Sequence, residues 1–456
     1  MHLLRRRPLP HYLRCHITRA STALLSYRRI GTRPTAGDTL RPGFFTPFFS
    51  SSDEVSHHTY ARKTAKDMAT SSSIPTRAKM LVRDFIDNSL HNPHYGSLSK
   101  KAVDPSVREH FDFMEMYDQL DFLRQLERVY KGAAQRIWHT PTELFKPWYG
   151  YAIAKYMVAE YKLNLYPHKD LIIYEIGAGN GTLMLNILNY IQTYEPSVFK
   201  RTQYNIIEIS ESLAKQQGEK LVNGQHDCVQ IINQSIFEWD AYDTFAHDLI
   251  RYDMETLQPY QGLVSVDSSG NCREMYEQVG GDALIHKYLS TRKQTHYRSP
   301  VLSSRLWNRL LRSLQMGPKL TRPEYIPTKL FQLLGTLKDH FPNHRLVLSA
   351  FSTLPDTIDG VDAPVVQTRY KNRIVPCSTY MVQPGWFEAL FPTNFELLRE
   401  MYLLSCRITT AGNNRNVKVL THREFCERYG EVEFTTTRSG DNPMLTFHEN
   451  MKMLIT

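Results

Sequence analysis

Apolar positions recur at helical spacing in "RAKMLVRDFIDNSL", where Leu81, Phe85, Ile86 and Leu90 share one face, and the turn residues of "NPHYGS" end the run. A second helical stretch is predicted through "REHFDFMEMYDQLDFLRQLERVY". A third lies in "LFKPWYGYAIAKYMVAEYK", with Ile153, Met157 and Val158 on one side and Pro167 beyond its end. The pattern then changes. "DLIIYEI" is a continuous apolar run of strand length leading into Gly177, as expected of a parallel strand buried on both faces. "TLMLNILNYIQTY" returns to helical spacing, with Leu183, Ile187, Ile191 and Tyr194 on one face, widened by Met184 and Leu188. "YNIIEIS", "ESLAKQQGEKL" and "VQIINQSI" follow as strand, helix and strand. That alternation predicts an α/β fold with a doubly wound parallel sheet.

Farther on, "SSRLWNRLLRSLQM" spaces Leu306, Leu310 and Leu314 along one helix face, surrounded by Arg305, Arg309 and Arg312. Those arginines read as a solvated face or as a dock for an acidic partner. "IPTKLFQLLGTLKDHF" is predicted as a helix with Pro327 near its first turn, and "RLVLSAF" as a late strand. The C-terminal third holds "APVVQTRY", "CSTYMV", a capping box from Thr421 to Glu424, and a last strand, "MKMLI".

Charge changes the picture at one end only. The net charge is +9, yet residues 1–37 contain eight arginines and no acid before Asp38, so the rest of the chain is close to neutral. This argues against a nucleic-acid-binding surface. The Arg-rich, Ser- and Thr-dotted segment has the composition of a mitochondrial transit peptide; a basic disordered arm is the alternative. The Ser-rich stretch after it reads as linker, placing the start of the folded body near Thr76. No apolar run is long enough for a membrane-spanning helix. The six cysteines are scattered without metal-ligand spacing, so no metal is expected.

The chemistry concentrates in "YEIGAGNGT". A dinucleotide fingerprint is GxGxxG, but here Gly177, Gly179 and Gly181 alternate, and Glu175 stands two residues before the first. S-adenosylmethionine presents an ammonium and a carboxylate rather than a pyrophosphate, which suits an acid at the strand end beside a tight turn of backbone amides. Glu208, 27 residues after Gly181, stands at the end of the second strand, where a carboxylate can accept both ribose hydroxyls. Glu175 and Glu208 together favour S-adenosylmethionine over a nicotinamide.

Over residues 90–456 the chain resembles the MidA-like S-adenosylmethionine-dependent methyltransferases, through "NPHYG", "TPTELFKPWYG", "YEIGAGNGTLM", "IIEIS" followed by Gln216 and Gln217, "FAHDLIRYD", "FPNHRLVLSAFSTLP" and "APVVQTRY". The glycine motif is common to many methyltransferases, whereas its combination with the upstream Thr-Pro-x-Glu-x-Phe segment is far more specific. The resemblance implies a Rossmann-like class I methyltransferase sheet and methyl transfer to a protein side chain, arginine being the known type. It also implies a mitochondrial matrix location and a respiratory complex I subunit as protein partner, because mitochondrial members act in complex I assembly. Thr140 and Ser235 join Glu175, the three glycines and Glu208 as cofactor-binding candidates. Glu143 is the first candidate to orient an acceptor guanidinium and Asp243 the second; a helix-start acid is an equal reading of Glu143.

The expected organisation is a transit peptide over 1–40, linker over 41–75, a helical N-terminal region over 76–140, and a cofactor-binding core over 141–270. A helical insertion over 271–340 and the C-terminal part of the sheet over 341–456 complete it. The pattern breaks once. Between the third strand and "FAHDLIRYD" the family carries a strand with an acidic end, and "NQSIFEWDAYDT" leaves no room for it. The late strand also has Ala350 where an acid is expected. Either the protein is a degenerate methyltransferase acting as an assembly or binding factor, or the coding sequence lacks a piece around Asp240. The second reading fits the intact remainder of the cofactor half, since losing a core strand outweighs the ~5–15 kcal/mol that holds a domain folded.

Overall fold

The computed structural model describes residues 59–97, 110–132, 140–224, 226–235, 245–303, 319–370, 373–406 and 416–456. The first elements, strand β1 (Ala61–Arg62) and a short helix (Ala65–Ala69) with Ala65 and Met68 buried, fall within the stretch expected as linker, and strand β2 (Ala78–Leu81) and helix α1 (Val82–His91) follow. Leu81 therefore closes a strand rather than opening the helix, because β2 pairs antiparallel with a later strand, opposite Leu263. Helices α2 (Gln119–Gly132), α3 (Pro141–Leu144) and α4 (Trp148–Asn164) follow.

The expected alternation then appears: β3 (Leu171–Ile176), α5 (Thr182–Tyr194), β4 (Thr202–Ile207), α6 (Glu211–Gly224) and β5 (Val229–Ile232). β3 pairs in parallel with β4, and β4 with β5. Leu171 and Ile173 point into a core built with Ile153 and Val158 of α4 and Met184, Ile187, Leu188 and Ile191 of α5. On the other face of β3, Ile172, Tyr174 and Ile176 are 50%, 46% and 36% exposed. The expectation of a strand buried on both faces is thus corrected. Among the described residues β3 is an edge strand, and on its second face the Phe341 ring packs edge-on against Tyr174 while Ile172 stays half exposed.

The rest of the chain departs further from a single doubly wound sheet. β6 (Asp248–Tyr252), β7 (Pro259–Val266) and β8 (Cys272–Gln278) are antiparallel neighbours, and β9 (Glu324–Ile326) adds to β6. With β1 and β2 they form a six-stranded sheet. The turn from β7 to β8 is set by Asp267, whose carboxylate accepts from the Ser269 and Asn271 amides, and by Gly270 at φ +86°. Residues 271–340, expected as a helical insertion, therefore carry β8 and β9 as well as helices α7 (Ala283–Arg292) and α8 (Thr328–His340). The helix expected around Arg305, Arg309 and Arg312 lies outside the described residues.

β10 (Val347–Phe351) is the late strand; β11 (Val365–Tyr370), β12 (Arg373–Cys377) and β13 (Glu388–Leu390) form a small antiparallel sheet. Helix α9 (Phe395–Ser405), β14 (Lys418–Thr421), α10 (His422–Tyr429) and β15 (Met451–Ile455) complete the chain. β15 lies between β10 and β14 in another three-stranded sheet, the third among the described residues. The capping box forms as the sequence predicts: Thr421 and Glu424 satisfy each other's backbone amides at the start of α10. Among the described residues, no fourth parallel strand joins β3 to β10, and residues 236–244, where the sequence breaks the family pattern, lie outside that set.

Candidate functional site

The glycine turn sits at the C-terminal end of β3, where ligands bind in open α/β sheets. Gly177, Gly179 and Gly181 all have positive φ, at +67°, +53° and +73°. A Cβ on Gly177 or Gly179 would meet no atom within 4 Å. Glycine is required there by backbone conformation, and the space beside the turn is open for close approach to the main chain. Gly181 also caps α5 without any side-chain hydrogen bond, which leaves first-turn amides able to receive a carboxylate.

Two carboxylates flank the turn. Glu175, in β3, accepts from the Tyr204 hydroxyl of β4 at 2.8 Å. Burial raises its pKa to about 7, with the charge of Glu208 adding to the effect and the Tyr204 bond opposing it. A cation placed beside Glu175 relieves that desolvation. Glu208 follows β4 and is 3% exposed. Its Oε1 accepts from the Ser210 amide at 3.0 Å and its Oε2 from the Gln217 amide nitrogen at 3.2 Å. Burial pushes its pKa up, while those two hydrogen bonds and the nearby His91 pull it down. Asn233, just past β5, donates to the Glu208 carbonyl at 2.7 Å, tying the third strand to this end of the pocket. Ser235, two residues on, is buried.

The upstream segment reaches the same place. Thr140 caps α3, accepting from the Glu143 amide at 3.4 Å. Glu143 Oε1 accepts from the Thr182 hydroxyl at 2.7 Å and from Asn180 at 3.3 Å, and Lys146 lies 3.7 Å from its Oε2. Glu143 thus joins α3 to the glycine turn and the start of α5. Asp243 lies outside the described residues. Ala350 is in β10, paired with Lys452 of β15.

The structure also brings in residues that motif reading did not assign. Tyr204 lies opposite Ile173 and so shares a face with Glu175, and Gln217 follows the quoted "IIEIS" segment without a role there. The "FAHDLIRYD" segment builds a separate buried polar centre. Arg83 of α1 donates to Asp248 at 2.7 Å and to both carboxylate oxygens of Asp282, and Thr328 donates to Asp248 at 2.5 Å. This centre fastens α1 to the six-stranded sheet; the far end of the helix carries His91. Among the described residues, no group of three His, Cys, Asp or Glu side chains is placed to hold a metal ion. No described helix is long and apolar enough to cross a membrane.

An open glycine backbone, a helix N-terminus without a side-chain cap, and one acid at each of two adjacent strand ends therefore stand together at one end of the parallel sheet. The sequence matches, over residues 152–413, the family described as "Putative S-adenosyl-L-methionine-dependent methyltransferase". The chain belongs to that methyltransferase family, and S-adenosylmethionine is the cofactor the family description carries. Among relatives, it is 25% identical over 308 residues to the Schizosaccharomyces pombe "Protein arginine methyltransferase NDUFAF7 homolog, mitochondrial", covering 58% of this chain. That match spans 61% of the S. pombe protein's length. It is 22% identical over 349 residues to the Saccharomyces cerevisiae protein of the same description, covering 68% of this chain and 78% of that protein. A native crystal structure of an uncharacterized ACR superfamily protein from Burkholderia thailandensis superposes with a TM-score of 0.50 at 10% identity, covering 90% of this chain and 94% of that one. That likeness shows a shared fold.

Proposed function

We propose that the protein transfers a methyl group from S-adenosylmethionine to an arginine side chain of a mitochondrial protein, with a subunit of respiratory complex I as the acceptor during assembly. The observation that carries this reading is the pairing of Glu175 and Glu208 across the open glycine turn. The arginine and the mitochondrial location are supported by the descriptions of the two yeast relatives, and complex I by the family resemblance of the motifs. The proposed organisation keeps an N-terminal import segment and a cofactor core around residues 141–270, whereas the described strands of 341–456 form sheets of their own rather than completing that of β3 to β5.

In this reading Glu175 receives the cofactor ammonium, the α5 N-terminus its carboxylate, and Glu208 the ribose hydroxyls; Thr140 and Ser235 line the same pocket. The cofactor, when bound, supplies an activated methyl group. Methyl transfer is an in-line displacement, so what the protein adds is placement. Glu143 Oε2, which faces Lys146 at 3.7 Å while Thr182 and Asn180 hold the other oxygen, is the group proposed to align a guanidinium, with Asp243 second.

A second reading is favoured by two observations. The half-exposed face of β3 and the alanine at position 350 suit a protein that keeps the cofactor cradle but lacks transfer, acting as an assembly or binding factor. Incubating the purified chain with mitochondrial extract and methyl-labelled cofactor separates the two. Label recovered as methylarginine supports the enzyme; cofactor binding without label on any protein supports the binding factor.

A further inference from the structure

We propose that Gln217, on α6, is a positioning residue of the cofactor pocket, holding the glycine turn and the Glu208 carboxylate in register. The proposal rests on the cofactor reading above. Gln217 is 1% exposed, and its amide nitrogen donates to the Gly179 carbonyl at 2.8 Å and to Glu208 Oε2 at 3.2 Å. A carbonyl and a carboxylate both accept, so the NH2 end of the side chain must face them. One planar group thereby joins the loop after β3 to the acid after β4. The same side chain passes beneath the rest of the turn, its Cγ lying 3.7 Å from where a Gly181 Cβ would stand.

Two features argue that packing alone does not explain a glutamine here. Its Oε1 is buried without a hydrogen-bond partner, a standing cost that leucine or methionine would avoid. The turn, in contrast, needs a tether. No neighbouring atom lies within 4 Å of a Cβ position on Gly177 or Gly179, so the turn is held around them by Ala178, which packs into the core, and by Asn180, which donates to Glu143. Its backbone bonds, Gly177 to the Ile207 carbonyl and Gly181 to the Ala178 carbonyl, leave the Gly179 peptide to Gln217. Glu208 in turn has its side chain fixed from both sides, by the Ser210 amide and by Gln217. An acid meant for two ribose hydroxyls has to be held in one rotamer.

The test uses the full chain, titrated with S-adenosylhomocysteine in a calorimeter, beside the melting temperature without ligand. Gln217→Leu is expected to weaken binding about tenfold, the share of one charge-assisted hydrogen bond, and to lower the melting temperature modestly, because the donor lost to the Gly179 carbonyl and Glu208 Oε2 is partly offset by removal of the unpaired Oε1. Gln217→Glu, which sets an acceptor against two acceptors, is expected to weaken it further. In a Glu208→Ala background the Gln217→Leu loss should shrink at least threefold, because the two residues act as a pair. Unchanged affinity in folded Gln217→Leu overturns the proposal, as do losses that simply multiply in the double variant. A folded wild-type chain that binds no S-adenosylhomocysteine overturns the cofactor reading and this proposal with it; wild-type binding with an unaffected Gln217→Leu overturns this proposal alone.

Discussion

Glu175 offers the most sensitive handle on the site, because its pKa of about 7 places its charge change near neutral pH. In the free protein about a tenth of the molecules carry the ionised form at pH 6 and about nine tenths at pH 8. If the ionised form receives the cofactor ammonium, affinity rises about tenfold across that interval and levels off above it. The sign for stability is opposite. The folded pKa lies above the ordinary carboxylate value of 4.5, so the folded state holds its proton more tightly. Stability is therefore lost as pH rises from about 4.5 to 7, by up to about 3 kcal/mol. Glu175→Gln removes both effects. The variant should melt a few degrees higher than wild type at pH 8, show little difference at pH 4.5, and lose cofactor binding with no pH dependence remaining. Calorimetric titrations at pH 6, 7 and 8 beside thermal melts give both readouts. A wild-type affinity that is flat between pH 6 and 8, or a Gln variant that melts lower at pH 8, would refute the assignment of Glu175 as a strained, cation-seeking acid.

Three further outcomes are expected. Glu208→Ala should weaken S-adenosylhomocysteine binding by about 10- to 150-fold, from the loss of about 1.5–3 kcal/mol of charge-assisted hydrogen bonding, with the fold retained in a melt without ligand. Glu143→Ala should weaken binding about tenfold, because the upstream segment loses its tie to Thr182, whereas Glu143→Gln should keep binding; a Gln variant with intact binding and lost turnover would mark Glu143 as the guanidinium-orienting acid. Residues 1–45 fused to a fluorescent protein should carry it into mitochondria, and a fusion that stays in the cytosol would remove the import expectation.

Much of the cofactor half is legible in the sequence for a physical reason. "DLIIYEI", the glycine turn and "TLMLNILNYIQTY" each satisfy a strong local rule: a strand-length apolar run, positive φ at three glycines, and a helical apolar face. Their elements fall at β3, Gly177–Gly181 and α5. The antiparallel half is less legible because its rules are weaker. "DSSGN" between two β runs is a turn signal that could have revealed the β7–β8 hairpin, and it is obscured by the helical patterns around it. Leu81 fits a helical face by spacing, yet non-local pairing with Leu263 draws it into a strand. Burial on both faces of β3 depends on what stands beside it, which its own residues do not encode. Likewise the Glu143–Thr182 and Gln217–Gly179 bonds join residues about 38 positions apart, and side-chain reach of that kind is set by tertiary packing.

The most direct test of the central claim is a paired calorimetric titration of the purified full chain with S-adenosylhomocysteine and with NAD. One-site binding of S-adenosylhomocysteine that weakens in both Glu175→Gln and Glu208→Ala is expected, with no measurable heat from NAD. Binding of NAD without S-adenosylhomocysteine, or S-adenosylhomocysteine affinity indifferent to both substitutions in well-folded variants, would contradict it.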